Sequence, residues 1–332
     1  MKRFLFKSIC HPEAPTRLTP AKAKDHATLY LPFYGKRMMS NIENHSQQFP
    51  FISICILTYN RIKELMVTLD NIQKNIDYPK ERYEIIVVDN ASTDDTFATI
   101  KRRYPYVSIY KLKKNVGISG WNLGMKKAKG DFFLLLDDDS NPEKGVTKAV
   151  LYLQKKKDIG ILACRIRQLK KFREFPLLDF IGCGVFIRKE LYDRIGGFAP
   201  WIFIYSHEWE YTIRCLDNCY KLVNFPACVV YHRIKKASYS SDRFIMNSIR
   251  NYFSIYYSYF SGFPMIAKVL MFSLWNLANL LKSRKERLFF EAVLSFLKNI
   301  NNLKRKPISK HLQAKFNRIG LFQGFGKLFK HQ

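Results

Sequence analysis

The chain has 332 residues, with 56 Lys and Arg against 27 Asp and Glu, a formal net charge of +29. Apolar residues make up 47% and charged residues 25%, a balance that excludes a disordered, collagen-like or low-complexity chain. No run of about 18 uncharged apolar residues occurs, so no clean membrane-spanning helix is expected. The early basic residues Lys2, Arg3 and Lys7 precede no long apolar segment, so no secretory signal is expected.

The charge is uneven. Residues 233–332 hold 19 basic and 3 acidic residues, more than half of the whole excess. Such a surface attracts nucleic acid, anionic lipid or phosphorylated substrates, and charge alone does not choose among them. The 7 cysteines are scattered and odd in number, which reads as reduced thiols in a cytosolic compartment.

Residues 1–49 are polar, contain Pro12, Pro15, Pro20 and Pro32, and show no sustained period. They read as a poorly ordered or loosely docked extension. FISICIL (51–57) is a continuous apolar run, as in a strand buried on both faces. After TYNR, the residues Ile62, Leu65, Met66, Leu69 and Ile72 mark one face of a helix. EIIVV (84–88) is a second buried strand, ending in DNASTDDT, where Ser92 or Thr93 is expected to cap a helix reaching about Tyr104. VSIYKL (107–112) is a third strand, and NVGISGWNLG turns through glycines into a short helix. DFFLLL (131–136) is a fourth strand, running into Asp137, Asp138 and Asp139.

Strands alternating with helices predict an α/β fold with a mainly parallel sheet flanked by helices. Ligands of such sheets bind beyond the carboxyl ends of the strands. Here those ends carry Thr58, Tyr59 and Asn60, then Asp89, then Asn115, then the three aspartates, while the strands behind them are apolar. Alternation sets Asp137 and Asp139 on one face, where carboxylate oxygens suit Mg2+ or Mn2+. The competing readings are a solvated acidic turn for the aspartates and an Asx turn for Asp89.

A second block spans 180–232, with a strand, a short helix and a Gly-Gly turn in FIGCGVFIRKELYDRIGGF, a helix in HEWEYTIRCLDN, and an extended KLVNFPACVVYH. Cys215, Cys219, Cys228 and His232 have the look of a zinc set, but two of them fall on one amphipathic helix, and buried core cysteines are the plainer reading. Beyond 233 two apolar runs, 251–267 and 269–281, are separated by Lys268 and followed by Lys282, Arg284, Lys285 and Arg287. They are short for a span and suit helices lying in a membrane interface.

FISICILTYNR, EIIVVDNASTDDT, NVGISGWNLG, GDFFLLLDDDSNP, GGFAPWIFIYSHEWEYTIR and VVYH, in this order, resemble the family-2 inverting glycosyltransferases of GT-A fold over roughly 51–232. The resemblance implies transfer of a sugar from a nucleotide-diphosphate donor to an acceptor hydroxyl, with Mg2+ or Mn2+. It implies that Thr58, Tyr59 and Asn60 hold the nucleoside, that Asp89 binds the base, and that Asn115 and Gly117 sit beside the nucleotide. Asp137 would lie nearer the ribose, Asp139 and His232 would take the metal, and Glu208 would be the general base. Glu210 competes with Glu208, since either acid suits a helix N-terminus. His207 and Trp121 depart from the commonest family pattern. Trp121 cannot make the charged contact that many relatives have there, and reads as a packed side chain. Glycines 182, 184, 196 and 197 fall near the implied acceptor side, with plain turns as the alternative.

The expected organisation is an extension (1–49), a GT-A-like catalytic domain (50–240) and a helical, basic C-terminal region (241–332). The expected partners are a nucleotide-sugar donor, a glycan or lipid-linked acceptor and an anionic membrane surface, with surface polysaccharide or glycolipid synthesis as the setting. The expected location is cytoplasmic, peripheral on the inner face of a membrane, with no nucleic acid bound and a homo-oligomer left open. A nucleic-acid-binding protein would not explain carboxylates at several strand ends. A nucleotidyltransferase would place a glycine-rich basic loop after the first strand, where LTYNR stands instead.

Overall fold

The computed structural model describes residues 49–168, 180–233 and 241–318. The chain divides into two units, 1–49 and 50–332. The extension expected at the N-terminus lies outside the described residues.

The first half alternates as the apolar runs predict. It comprises β1 (Ile52–Thr58), α1 (Ile62–Asn75), β2 (Tyr83–Asp89), α2 (Thr96–Arg103), β3 (Val107–Lys111), α3 (Trp121–Lys127) and β4 (Phe132–Asp137). β1 pairs in parallel with both β2 and β4, and β3 pairs in parallel with β2. The apolar side chains of β1, β2 and β4 are almost wholly buried, because helices cover a parallel sheet on both faces. The register sets Thr58 opposite Asp89, and Leu57 opposite Asp137. The polar strand ends are therefore level with one another along one edge.

The second half adds β5 (Ser140–Lys144), α4 (Val146–Lys155), β6 (Ile159–Ile166), β7 (Val185–Arg188), α5 (Lys189–Ile195), α6 (His207–Asp217) and β8 (Lys221–His232). The strand order of the eight-stranded sheet is β3-β2-β1-β4-β7-β6-β8-β5. β7 runs antiparallel to both neighbours, β8 runs parallel to β6, and β5 runs antiparallel to β8. The sheet is thus parallel in its first half and mixed in its second. β5 has the sequence SNPEK, which carries no strand signal. It is a strand because β8 pairs with it, Ser140 facing His232 and Asn141 facing Tyr231.

One helix start differs from expectation. α2 begins at Thr96, and Asp94 Oδ1, rather than Ser92 or Thr93, accepts from its backbone N–H at 3.1 Å. Ser92 is used elsewhere, accepting from the Asn60 N–H at 2.9 Å.

The C-terminal region is helical as expected, with α7 (Asp242–Tyr259), α8 (Gly262–Lys282), α9 (Glu286–Asn299) and α10 (Lys310–Arg318). Ser241 caps α7 by accepting from Phe244 N–H. The first apolar run does not form one interfacial helix. Residues 251–259 lie in α7, whose Tyr252, Phe253, Ile255 and Tyr256 are buried in a core shared with Ile202 and Ile213. Pro264 falls in the first turn of α8, where a missing N–H costs no helical bond. No helix among the described residues is long and apolar enough to cross a membrane.

A buried ion pair within α6 is tied to α7 by the hydroxyl of Tyr259. Glu210, fully buried, accepts from Arg214 at 2.6 and 2.8 Å and from the Tyr259 hydroxyl. Arg214 also donates to the carbonyls of Ile195 and Gly197. Removing one member of such a set leaves a charge buried without its partner. Glu210→Ala is therefore expected to cost about 3–5 kcal/mol of stability. Urea unfolding would measure this, and a midpoint equal to the parent's would exclude a structural role for the pair.

Candidate active site

The candidate site occupies the carboxyl edge of β1, β2 and β4. Asp137 closes β4, and a tight turn follows, in which Ser140 Oγ accepts from Asp137 N–H at 2.9 Å. The turn keeps Asp138 and Asp139 largely out of water. Burying adjacent carboxylates is costly without counter-charges or donors, and three elements supply them. Thr58, at the end of β1, donates to Asp138 Oδ2 at 2.9 Å. Arg61, just before α1, lies 3.3 Å from Asp138 Oδ1 and 2.6 Å from Asp139 Oδ2. His232, at the end of β8, has Nε2 2.9 Å from Asp139 Oδ1 and 3.6 Å from Asp137 Oδ2.

Arg233 holds that far strand in place. Its backbone N–H donates to the Asp139 carbonyl at 2.9 Å. Its guanidinium reaches the Glu64 carbonyl, the Thr68 hydroxyl and Asn141 Oδ1. Thr68 in turn donates to the Asp138 carbonyl at 2.6 Å, which explains a buried threonine on the face of α1.

The electrostatics follow from this packing. Burial, helped by the charges of Asp139 and Glu208 and opposed by His232, pushes Asp137 up to about 6. Burial pushes Asp138 up to about 7, against the pull of Arg61 and Thr58. Burial also works to raise Asp139, but His232 and Arg61 overcome it and hold Asp139 below its usual range. Burial would lower His232, and its close contact with Asp139 and the charges of Asp137 and Asp139 raise it instead.

Glu208 and Glu210, two residues apart, have different fates. Glu210 is spent on Arg214 and Tyr259. Glu208 lies in the first turn of α6, close enough that its charge helps to raise both Asp137 and Cys183. His207 Nδ1 is 3.0 Å from Glu208 Oε2. His207 is neither a surface residue nor open to a substrate. It is buried against Trp121 and Phe198, and desolvation lowers it to about 3. Trp121 is buried, the packed side chain that the sequence suggests.

The other expected residues are also at this edge, several of them with structural duties. Asp89 is fully buried, and its Oδ1 accepts from Ser92 N–H at 2.7 Å, the Asx-turn alternative. Its Oδ2 has no hydrogen-bond partner among the described residues, with Lys111 Nζ 3.8 Å away. Asn60 takes a left-handed φ of 54°, and its Oδ1 accepts from Thr93 N–H at 2.7 Å. Tyr59 is 42% exposed beside it. Asn115 Oδ1 accepts from Gly117 N–H at 2.9 Å. Gly117 has φ 64°, and a Cβ there would come within 1.9 Å of the Phe203 carbonyl oxygen. That position needs glycine for backbone packing alone. Gly182 abuts His207 and Trp121, and Gly197 abuts Asn122, so both make room for neighbours.

The suspected zinc set does not assemble. Cys215 is buried in the core beside the sheet, and Cys219 lies past the end of α6. Cys228 is buried with its sulfur 3.3 Å from that of Cys164. The grouping that could hold an ion among the described residues is Asp137, Cys183 and His232, whose ligand atoms lie within 4.8 Å of one another. Asp139 stands beside it through His232.

Sequence reading missed four residues here. Arg61 and Arg233 directly follow residues singled out as functional, and that adjacency was the available signal. Cys183 lies between two glycines with nothing to distinguish it. Asn251, on α7, is wholly buried and donates to the carbonyls of Ile204 and Tyr205, both at 2.9 Å. Tyr205 and Ser206 both have left-handed φ, of 66° and 61°. Such residues need support from their surroundings, and Asn251 gives it immediately before Glu208.

Several known proteins share parts of this chain. A transferase from Methanococcus voltae, dolichyl N-acetyl-alpha-D-glucosaminyl phosphate 3-beta-D-2,3-diacetamido-2,3-dideoxy-beta-D-glucuronosyltransferase, is 39% identical over 103 residues, 30% of this chain and 32% of its own length. The poly(ribitol-phosphate) beta-N-acetylglucosaminyltransferase TarS of Staphylococcus aureus is 33% identical over 100 residues, 29% of this chain and 17% of its own. The matched stretches thus span about a third or less of these relatives. The mannosyltransferase PcManGT from Pyrobaculum calidifontis, solved with GDP-Man and Mn2+, superposes with a TM-score of 0.55 at 18% identity. The match covers 85% of this chain and 83% of that one. GalNAc-T7, solved with UDP, GalNAc and Mn2+, superposes with a TM-score of 0.57 at 16% identity, over 80% of this chain and 60% of that one. These likenesses establish the GT-A fold. The sequence profile described as Glycosyl transferase family 2 matches residues 53–232, more than half of the chain and every strand described above except the start of β1, and the chain therefore belongs to that family of glycosyltransferases.

Proposed function

We propose that this protein transfers a glycosyl group from a nucleoside-diphosphate sugar to an acceptor hydroxyl in a single displacement with inversion. The observation that carries the reading is the convergence of Asp137, Asp139, His232 and the Glu208 charge at one sheet edge, from β4, β8 and α6. In this reading Thr58, Tyr59 and Asn60 flank the nucleoside, the Asp89 carboxylate beside Lys111 accepts from the base, and Asn115 and Gly117 shape the adjoining turn. Arg61 supplies the positive charge near the phosphates that Trp121 cannot.

The residues present fit a divalent ion. Asp139 Oδ1 is buried and receives no well-aligned hydrogen bond, although His232 Nε2 lies 2.9 Å away. Asp137, Asp139 and His232 would hold the ion, with Cys183 within reach. Imidazole and thiol donors beside carboxylates favour Mn2+ over the harder Mg2+. Mn2+ is the ion in the two solved proteins of similar fold. When bound, the ion neutralises charge on the departing diphosphate.

The chain's own part of the chemistry is proton removal and placement. The acceptor oxygen bonds to the anomeric carbon as the bond from that carbon to the diphosphate oxygen breaks. The hydroxyl proton passes to the Glu208 carboxylate. No second carboxylate is needed, because the diphosphate leaves without a proton. The His207 ring beside Glu208 is held neutral by burial, so Glu208 faces no fixed cation there that would weaken it as a base. A glycan or lipid-linked hydroxyl is the proposed acceptor class, in keeping with the dolichyl and poly(ribitol-phosphate) transferases among the relatives. The nucleotidyltransferase alternative is not favoured, given the family match over 53–232.

Three outcomes are expected. Glu208→Gln should lower turnover by about 10²–10⁴-fold with donor affinity nearly unchanged. Turnover equal to the parent's, with a panel of nucleotide sugars, would remove Glu208 as the base. Asp139→Asn should weaken Mn2+ binding by at least about tenfold. Titration followed by Mn2+ electron paramagnetic resonance measures this, and unchanged affinity would take Asp139 out of the metal site.

The third outcome concerns pH. Asp137 must lose its proton to serve an ion, and burial has raised it from 3.8 to about 6. Mn2+ affinity is therefore expected to fall by up to about tenfold per pH unit below 6. In the ion-free protein the raised value means that the group's stabilising contribution is in place below 3.8 and is lost above about 6. A flat affinity profile between pH 5 and pH 8, on the order of one proton's range, would exclude Asp137 as a ligand.

A further inference from the structure

Thirteen large apolar side chains are strongly exposed among the described residues, and nine of them stand on α8 and α9. On α8 they are Phe263, Ile266, Leu270, Met271, Leu274 and Leu281. Five of these, at spacings of three, four, four and seven, share one stripe of the helix. Leu274 is 69% exposed and Phe263 79%. The opposite side of α8 is already committed, with Phe272, Asn276 and Leu280 buried. α9 repeats the arrangement, exposing Phe290, Leu294 and Leu297 at helical spacing while burying Phe289 and Ala292. A surface helix needs one apolar face, and each of these has two.

Charge identifies what covers the second face. Residues 241–318 carry 14 Lys and Arg against 3 Asp and Glu. Lys282, Arg284, Lys285 and Arg287 stand where α8 passes into α9, and Lys304, Arg305 and Lys306 follow α9. Among the described residues, Asp242 pairs with Lys285 and Glu291 with Arg287. A second copy of the chain would meet this face with the same face in a two-fold contact, bringing basic rim against basic rim. An anionic bilayer matches both features, taking the apolar stripe below its headgroups and the basic rim against them. α8 is 21 residues long, about 30 Å at the helical rise, and no segment of it is apolar enough to cross. It therefore suits a helix lying along the surface.

We propose that the outward faces of α8 and α9 dock this protein onto an anionic lipid surface. The proposal goes beyond the transfer reaction and does not depend on any residue role assigned there. It would hold the protein where a lipid-linked acceptor lies, and it survives if the acceptor proves to be soluble.

The test is co-sedimentation of the full chain with vesicles, either phosphatidylcholine alone or with about 30% phosphatidylglycerol, enough to give an anionic surface. Binding to the mixed vesicles is expected, at least about tenfold weaker on neutral vesicles or at about 0.5 M salt. The double variant L270S/L274S and the charge variant K282E/R284E should each lose most of the binding. Both should melt with the parent, since exposed side chains contribute little to stability. Parent protein that stays in the supernatant with anionic vesicles overturns the proposal. So does a correctly folded L270S/L274S that binds like the parent. A parent dimer in analytical ultracentrifugation that L270S/L274S converts to monomer, without vesicle binding by either, also overturns it and assigns the face to a second copy.

Discussion

Two adjacent carboxylates, Asp138 and Asp139, are held almost dry beside the partly exposed Asp137 at the end of β4, and the rest of the site exists to make that tolerable. Water would solvate them at no cost, whereas burial needs donors and cations from elsewhere in the fold. Thr58 comes from β1, Arg61 from the head of α1, and His232 from the end of β8, where Arg233 fastens the strand to the Asp139 carbonyl. The arrangement fixes where four separate elements meet. It also leaves Asp137 and Asp138 raised and Asp139 lowered, so the cluster does not carry three equal charges.

The α6 segment shows the same logic applied to two glutamates. Both acids suit the first turn of a helix. Glu210 points back into a buried set with Arg214 and Tyr259, which fastens α6 to the C-terminal helices. Glu208 contacts His207 and lies close enough to the sheet edge for its charge to be felt by Asp137. The left-handed pair Tyr205 and Ser206 leads into the helix, and Asn251 of α7 holds the carbonyls of Ile204 and Tyr205. The C-terminal helices thus reach the candidate site through one amide side chain, although none of their residues belongs to the family's matched stretch.

The same helices show how far periodicity carries an inference. The apolar run at 251–259 reads like an interfacial helix and is instead core, packed on Ile202 and Ile213. The neighbouring α8 has a similar composition and keeps its stripe outward. Composition reports how much apolar surface a helix has. It does not report how much of that surface a distant segment will cover.

The sequence by itself determined the alternating strands and helices of 51–137, because unbroken apolar runs and a 3.6-residue period leave few other ways to bury them. It also determined which polar residues stand at the strand ends, since the chain leaves the apolar core at Thr58, Asp89 and Asp137. Tertiary structure decided what local pattern could not encode. β5 is a polar segment with a proline, and it became a strand through pairing with β8. That pairing brings His232 to aspartates some ninety residues earlier in the chain. Glu208 and Glu210 are alike in sequence and differ only in what lies opposite them. Asp89 and Gly117 have structural partners, Ser92 N–H and the Phe203 carbonyl, that no motif announces. The physical reason is common to all of these. Periodicity is a property of neighbours along the chain, whereas desolvation, charge pairing and steric room depend on residues that only the folded chain brings together.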